Sequence, residues 1–169
     1  MMRKRKGYPV YPLTVAQKFH TFYLQFCQKP QVLNIGTSLT IGADIDLSVL
    51  KQSIYKAYER CEAMRLRFAK DKESTIYQYV VDKEERDIEF VDFSDKTMEE
   101  AESIMRGWTE VPFKLEDSPM NRIVMIRTSD GYTGLYMLVS HLTMDAQSLI
   151  LFFKDIVELY CNALYEGVE

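Results

Sequence analysis

The sequence has few of the residues from which metal sites and disulfide frameworks are built. Its 169 residues include only two histidines and three cysteines. The cysteines, Cys27, Cys61 and Cys161, are odd in number and have neither metal-ligand nor disulfide spacing. We therefore expect no metal site, cysteines that are reduced and mostly buried, and a cytoplasmic protein.

The sequence also has no excess of basic residues and no long apolar run. The formal net charge is −4, which argues against nucleic acid as a main partner because phosphate binding needs a concentrated basic face. A basic run at residues 3–6 precedes Gly7 and Pro9 and not a long apolar segment, so a signal peptide is not expected. No apolar run approaches the roughly 18 residues of a membrane span, and we expect no membrane contact.

The composition that remains is that of an ordinary globular domain. Hydrophobic residues make up 47% of the chain and charged residues 27%. The apolar spacing predicts helices over about 15–27, 47–61, 98–108 and 146–165, and strands over about 33–41, 64–68, 76–81, 88–93, 121–127 and 132–139. This order indicates an α/β or α+β sandwich, in which a mixed sheet has helices packed against it.

The segment from Ser140 to Ala146 places chemistry-bearing residues between a strand and a helix. His141 follows the strand, and Asp145 stands at the start of the last helix. His141 is the candidate for proton transfer, because imidazole titrates near neutral pH. Two non-catalytic interpretations stay open: His141 has a structural role, and Asp145 is a helix N-cap.

The sequence does not favour a hydrolase site or a catalytic role for the second histidine. Ser140 and His141 are neighbours in a strand and point to opposite faces, so they do not form the nucleophile and base of a hydrolase. His20, in the first helix, has no acidic partner close in sequence and is interpreted as a structural or surface residue.

Four stretches resemble the N-terminal half of the condensation domains of non-ribosomal peptide synthetases, which belong with chloramphenicol acetyltransferase-like acyltransferases. Residues 140–146 resemble the family motif His-His-x-x-x-Asp-Gly. Residues 60–68 are similar to Arg-His-Glu-x-Leu-Arg-Thr-x-Phe, and residues 112–119 to Pro-Phe-x-Leu-Glu-x-x-Pro. Residues 14–17 resemble the Ala-Gln opening of the family's first helix.

The resemblance implies a two-lobed acyltransferase whose active site lies between the lobes. Its product is an amide or ester bond between substrates held as thioesters on carrier proteins, with the donor acyl group on a phosphopantetheine arm. His141 falls on the catalytic histidine, which accepts a proton from the attacking amine or orients it. Asp145 falls on the motif aspartate, and Arg60 and Arg65 are the candidates for its ion-pair partner, which would support the loop. No directly bound cofactor is implied.

The sequence also departs from the family pattern. Ser140 replaces the first histidine of the motif, and Ala146 replaces its glycine. The methyl group of Ala146 obstructs the site if a positive φ or close substrate approach is needed there. Residues 1–13 are interpreted as an N-terminal extension and residues 14–169 as the N-terminal lobe, with the second lobe absent.

Two functions from different classes therefore stay open. The first is a catalytic lobe, inactive until a second lobe completes it. The second is a non-catalytic half-domain that binds carrier proteins or self-associates, with a homodimer formed through the face that the second lobe would cover.

Overall fold

The structure, a computed structural model, describes residues 4–83 and 86–166. The helices are α1 (Val15–Phe26), α2 (Leu47–Arg60), α3 (Met98–Thr109) and α4 (Ala146–Glu166). The strands are β1 (Lys4–Arg5), β2 (Tyr8–Pro9), β3 (Tyr11–Pro12), β4 (Asn34–Gly42), β5 (Leu66–Lys70), β6 (Ile76–Val80), β7 (Glu89–Asp92), β8 (Asn121–Arg127) and β9 (Thr133–Ser140). The predicted helices are all present, within one or two residues of the expected bounds.

A four-stranded mixed sheet forms the centre of the described chain. Its order is β4-β9-β8-β7, and the β7–β8 pair is parallel while the other two pairs are antiparallel. One face packs against α2 and α4, and the other face packs against α3. A second, antiparallel sheet has the order β3-β6-β5. This arrangement confirms the expected α/β fold, with a mixed sheet covered by helices.

The core is built from the apolar positions that the periodicity indicates. Every residue of the central strand β9 is buried, because helices cover both faces of the sheet. On α4 the buried side chains repeat at helical spacing: Leu149, Phe152, Phe153, Ile156 and Tyr160. Each such burial stabilises the fold by about 1.5–3 kcal/mol. The segment from Ser140 to Ala146 therefore begins at the end of a buried strand, β9.

The expected strand over residues 64–68 begins too early. Residues 62–65 form a short 3₁₀ helix, and β5 starts at Leu66. Arg65 therefore lies outside the strand. The physical reason is the end of α2, whose last carbonyls lack partners within the helix and accept hydrogen bonds from Arg65.

Helix α1 presents its apolar face to the outside. Val15, Phe19, Phe22 and Phe26, which we call the α1 stripe, are exposed by 85%, 67%, 60% and 72%. They share one side of the helix, as the sequence predicts. The buried residues of α1 are polar, Gln17 among them. Packing within the described chain thus does not explain the apolar character of this stripe.

The burial of the cysteines differs from the expectation. All three are free, but Cys27 and Cys61 are half-buried and Cys161 is exposed, so the expectation that most are buried is wrong. The two half-buried cysteines lie just after the last turns of α1 and α2, where the chain returns to the surface. Among the described helices, none is long and apolar enough to cross a membrane.

Candidate active site at the His141 loop

His141 is the first residue after β9. Its backbone N–H donates a hydrogen bond of 2.7 Å to the carbonyl oxygen of Leu33, which immediately precedes β4. The side chain is exposed. Strand β9 therefore fixes the backbone of His141 from one side and residue 33 fixes it from the other, while the imidazole stays outside the core.

Ser140 holds the turn that follows β9. Its carbonyl oxygen accepts hydrogen bonds from the backbone N–H of Thr143 at 2.9 Å and of Met144 at 3.3 Å. Its hydroxyl accepts one from the N–H of Leu142 at 3.3 Å, and the residue is only 2% exposed. A serine that is buried and bonded in this way shapes the loop and is not placed as a nucleophile.

Gln17 joins α1 to the same loop. Its amide nitrogen Nε2 donates to the carbonyl oxygen of Leu142 at 3.0 Å and to Oε1 of Gln78 at 2.8 Å. Its own Oε1 accepts from the N–H of Thr14 at 2.9 Å, within the capping box that opens the helix. Gln78 in turn donates to the carbonyl oxygen of Pro12. One buried side chain thus starts α1 and ties it to the loop of the histidine.

Asp145 caps α4. Its Oδ1 accepts a hydrogen bond of 2.8 Å from the backbone N–H of Ser148. The pKa of Asp145 lies below its usual value, first because of this backbone hydrogen bond and to a smaller extent because of the electrostatic interaction with His141. The cap interpretation is therefore confirmed.

The expected ion pair between Asp145 and an arginine of the second motif is wrong. Among the described residues, Arg60 pairs with Asp155 of α4 at 2.9 Å. Arg65 donates to four backbone carbonyl oxygens: those of Tyr58, Glu59, Val81 and Asp82. The carbonyls at the end of α2 need donors, and Arg65 supplies them, so its guanidinium supports the start of β5 and not the His141 loop.

Ala146 does not strain the backbone. It is the first residue of α4, and it is not among the described residues with positive φ. Its side chain is exposed. The methyl group at the motif's glycine position therefore neither forces an unusual conformation nor fills the core.

The structure brings His20 to the site, a contact with His141 that the sequence analysis does not predict. It lies one turn after Gln17 on α1, and its ring centroid is 5.1 Å from that of His141, with a tilt of 52° between the rings. Its Nδ1 is buried and has no hydrogen-bond partner in the described part of the chain. The spacing of three residues from the Gln of the Ala-Gln opening is the signal that could have placed it on the same helix face.

The Pro112–Pro119 segment is attached to the N-terminal strands by charge. Asp117 forms an ion pair of 2.6 Å with Arg5 and accepts a hydrogen bond of 2.8 Å from the hydroxyl of Tyr79. The Arg5 guanidinium is the main cause that lowers the pKa of Asp117 to about 2. This contact organises the fold beside the second sheet.

Comparisons with known proteins identify the family of this chain. A family model described as the condensation domain matches residues 9–167. The chain is similar to bacitracin synthase 1 of Bacillus licheniformis, with 26% identity over 166 residues, and to tyrocidine synthase 2 of Brevibacillus parabrevis, with 23% identity over 165 residues. The matches cover 98% and 94% of this chain but only 3% and 4% of those proteins.

Solved structures share the fold. The starter condensation domain of the rhizomide synthetase RzmA matches with a TM-score of 0.82 at 20% identity, and the first condensation domain of the calcium-dependent antibiotic synthetase with 0.82 at 23%. Each match covers 94% of this chain and 38% of the solved chain. Because the condensation-domain model matches almost the whole sequence, the chain belongs to the condensation domain family, and it corresponds to the N-terminal half of that domain.

Proposed function

We propose that the chain is one lobe of a condensation-type acyltransferase that forms amide or ester bonds between carrier-protein-bound thioesters in non-ribosomal peptide synthesis. Membership of the condensation domain family supports this reaction class. The observation that carries the proposal is the exposed imidazole of His141 on a loop whose backbone is held from three sides, by Leu33, Ser140 and Gln17. A rigid loop that carries an exposed imidazole is what positioned acid–base chemistry needs.

The proposed step is aminolysis of a thioester. The amine nitrogen of the acceptor attacks the carbonyl carbon of the donor thioester, and the imidazole of His141 accepts the proton that the amine loses or orients the amine for attack. The C–N bond forms, the C–S bond breaks, and the sulfur leaves as a thiol after it takes up a proton. His141 gains and returns one proton, so it is unchanged at the end of the cycle.

We propose residues 14–169 as the lobe itself, completed by a second lobe. The α1 stripe supports this, since a stripe of four large exposed apolar side chains on one helix marks an interaction surface. It belongs to the helix that contacts the His141 loop, so a second lobe seated there would close the site. Residues 1–13 form the proposed extension, and its described part, residues 4–13, is held by the β3–β6 pairing and the Arg5–Asp117 ion pair.

The proposed partners are carrier proteins. Condensation domains of this family work with such proteins, and the substrates arrive as thioesters on a phosphopantetheine arm. No cofactor is needed in the proposed step beyond this substrate arm. We place the protein in the cytoplasm, a location that its three free cysteines support.

A second candidate is a non-catalytic half-domain that binds carrier proteins or self-associates. The same α1 stripe favours it, because two copies could cover the exposed Phe19, Phe22 and Phe26 against each other. Light scattering during size-exclusion chromatography separates the two candidates. A dimer that becomes a monomer in Phe22→Ser favours self-association, and a monomer in both proteins favours the incomplete lobe.

The catalytic proposal is tested by turnover. The chain is combined with the second lobe of a condensation domain, and loaded donor and acceptor carrier proteins are supplied. We expect product with the two lobes and almost none with the chain alone, because a single lobe neither excludes water nor holds both thioester arms together. His141→Ala should remove most of the product, while Lys72→Ala, an exposed residue between β5 and β6, should leave it unchanged. Product formation unaffected by His141→Ala contradicts the proposal.

A further inference from the structure

The motif position before His141 carries no imidazole in this chain. Ser140 occupies it, and this side chain is buried and bonded to the turn. A second imidazole nevertheless reaches the loop from another element, because His20 of α1 contacts His141 with a centroid separation of 5.1 Å. Both histidines of the chain thus meet at one place.

The contact follows from how α1 is anchored. Gln17 donates to the carbonyl oxygen of Leu142, which fixes the first turn of α1 against the His141 loop. His20 is three residues further on, so it lies on the same side of the helix as Gln17 and next to the loop. Thr21, also buried, completes this polar side, while the α1 stripe occupies the outer side.

Packing alone does not account for a histidine here. Nδ1 of His20 is buried and has no hydrogen-bond partner in the described chain, a condition that costs stability and that a phenylalanine at the same place would avoid. The ring of Phe19 lies 6.0 Å away, so the neighbourhood accepts aromatic rings. The imidazole is therefore better explained by its contact with His141 than by the stability of α1.

The imidazole of His141 has few other contacts that fix its direction. Within the described residues its ring makes no hydrogen bond, and its ring contact is with His20. Asp145 interacts with it electrostatically from the side of α4, but this carboxylate is engaged by the N–H of Ser148. A base that must meet a substrate proton needs a second group that orients it.

We propose that His20 is a positioning residue that orients the imidazole of His141 through direct ring contact. The inference rests on the proposed function of His141 and adds the group that directs its ring. His20 acts as an imidazole: its ring fills the space beside His141, and its nitrogens set the local dipoles that decide which nitrogen of His141 carries the proton. It does not contact the reacting atoms, so it is not a catalytic residue.

The test is an NMR measurement on the chain itself. With only two histidines in the sequence, a ¹⁵N-histidine sample shows two imidazoles, and any variant of His20 shows His141 alone. Spectra are recorded at about pH 8, where free imidazole is neutral. The variants are His20→Phe, which keeps a ring without nitrogens, and His20→Ala, which removes the ring. Gln25→Leu is the matched control, since Gln25 lies on the same helix, is exposed and is not part of the α1 stripe.

We expect contacts between the ring protons of His20 and His141 in the parent chain. His20→Phe should change the His141 ring ¹⁵N shifts, and so its balance of tautomers, without lowering the melting temperature. His20→Ala should in addition allow several side-chain rotamers of His141, and Gln25→Leu should change neither property. His141 signals that are the same in the parent, His20→Phe and His20→Ala would overturn the inference.

Turnover in the two-lobed enzyme separates this inference from the proposed function. His20→Phe should lower kcat by about tenfold or more with little change in KM, because a misdirected base affects the chemical step. If His141→Ala abolishes turnover and His20→Phe leaves kcat unchanged, the inference fails and the proposed function stands. If His141→Ala has no effect, the proposed function itself fails, whatever the NMR spectra show.

Discussion

Replacement of Gln17 by leucine should destabilise the chain and loosen the His141 loop. The change removes three hydrogen bonds made by one buried amide: two that it donates, to Leu142 and Gln78, and one that it accepts from Thr14. The oxygen atoms of Leu142 and Gln78 are then buried without these donors, at about 1–3 kcal/mol each. The N–H of Thr14 is near the surface, where water replaces its partner.

The expected total is about 2–4 kcal/mol, after a small gain from the added apolar side chain is allowed for. For a chain of this size, that corresponds to a fall in melting temperature of about 5–15 °C. Urea denaturation followed by circular dichroism measures the free energy of unfolding. Hydrogen exchange of the amides of residues 141–145 should also become faster, because the loop loses its link to α1.

Gln25→Leu is the matched control for this prediction. Gln25 lies on the same helix and is exposed, and its side chain has no hydrogen-bond partner among the described residues. It makes the same chemical change without breaking a contact, so its free energy of unfolding should stay close to that of the parent. If Gln17→Leu and Gln25→Leu agree within about 0.5 kcal/mol, the reasoning that Gln17 anchors the loop is refuted.

Two further predictions concern the ionic contacts. Arg65→Lys should lower the free energy of unfolding by about 2–4 kcal/mol, since an ammonium cannot reach four carbonyls. Arg60→Ala should lower it by less than about 1 kcal/mol, because its ion pair is exposed. Equal effects of the two changes in urea denaturation would contradict the structural role of Arg65. The pKa of Asp117, about 2, lies below its unfolded value, so its stabilisation is present above about pH 4 and is lost as the pH falls towards 2. Asp117→Asn should flatten this acid dependence in thermal melts, and an unchanged slope would contradict it.

Much of the fold follows from local patterns in the sequence. The strand β8 has the predicted bounds, and α2 begins after Asp46, whose carboxylate accepts from the N–H of Ser48 and Val49. The apolar side of α4 is buried as its spacing indicates. These features depend on period and capping, which a single segment carries by itself.

The features that the sequence does not predict depend on contacts between distant segments. Arg65 alternates with apolar residues and looks like a strand residue, but the end of α2 recruits it to satisfy carbonyls. Within the described chain, Asp145 pairs with neither candidate arginine because each has a nearer partner. The stripe of α1 is apolar and yet exposed, since periodicity tells which residues share a face and not what covers that face.

The site can be predicted in part. His141 and the cap by Asp145 follow from their places between a strand and a helix, and both are found there. His20 cannot be assigned in this way, because its role is defined by a ring 121 positions away in the chain, with nothing in the spacing of α1 to indicate that partner. The contact of Gln17 with the loop is hidden for the same reason, although its part in the capping box is visible.

The most direct test of the central claim is the rate of amide formation by the two-lobed enzyme with and without the His141 imidazole. Loaded donor and acceptor carrier proteins are mixed with the parent and with His141→Ala, and the condensed product is followed by mass spectrometry of the acceptor. The account predicts that the rate falls by about 10²-fold or more, the usual contribution of a positioned base, while circular dichroism shows an unchanged fold. A rate in His141→Ala equal to that of the parent would contradict the account.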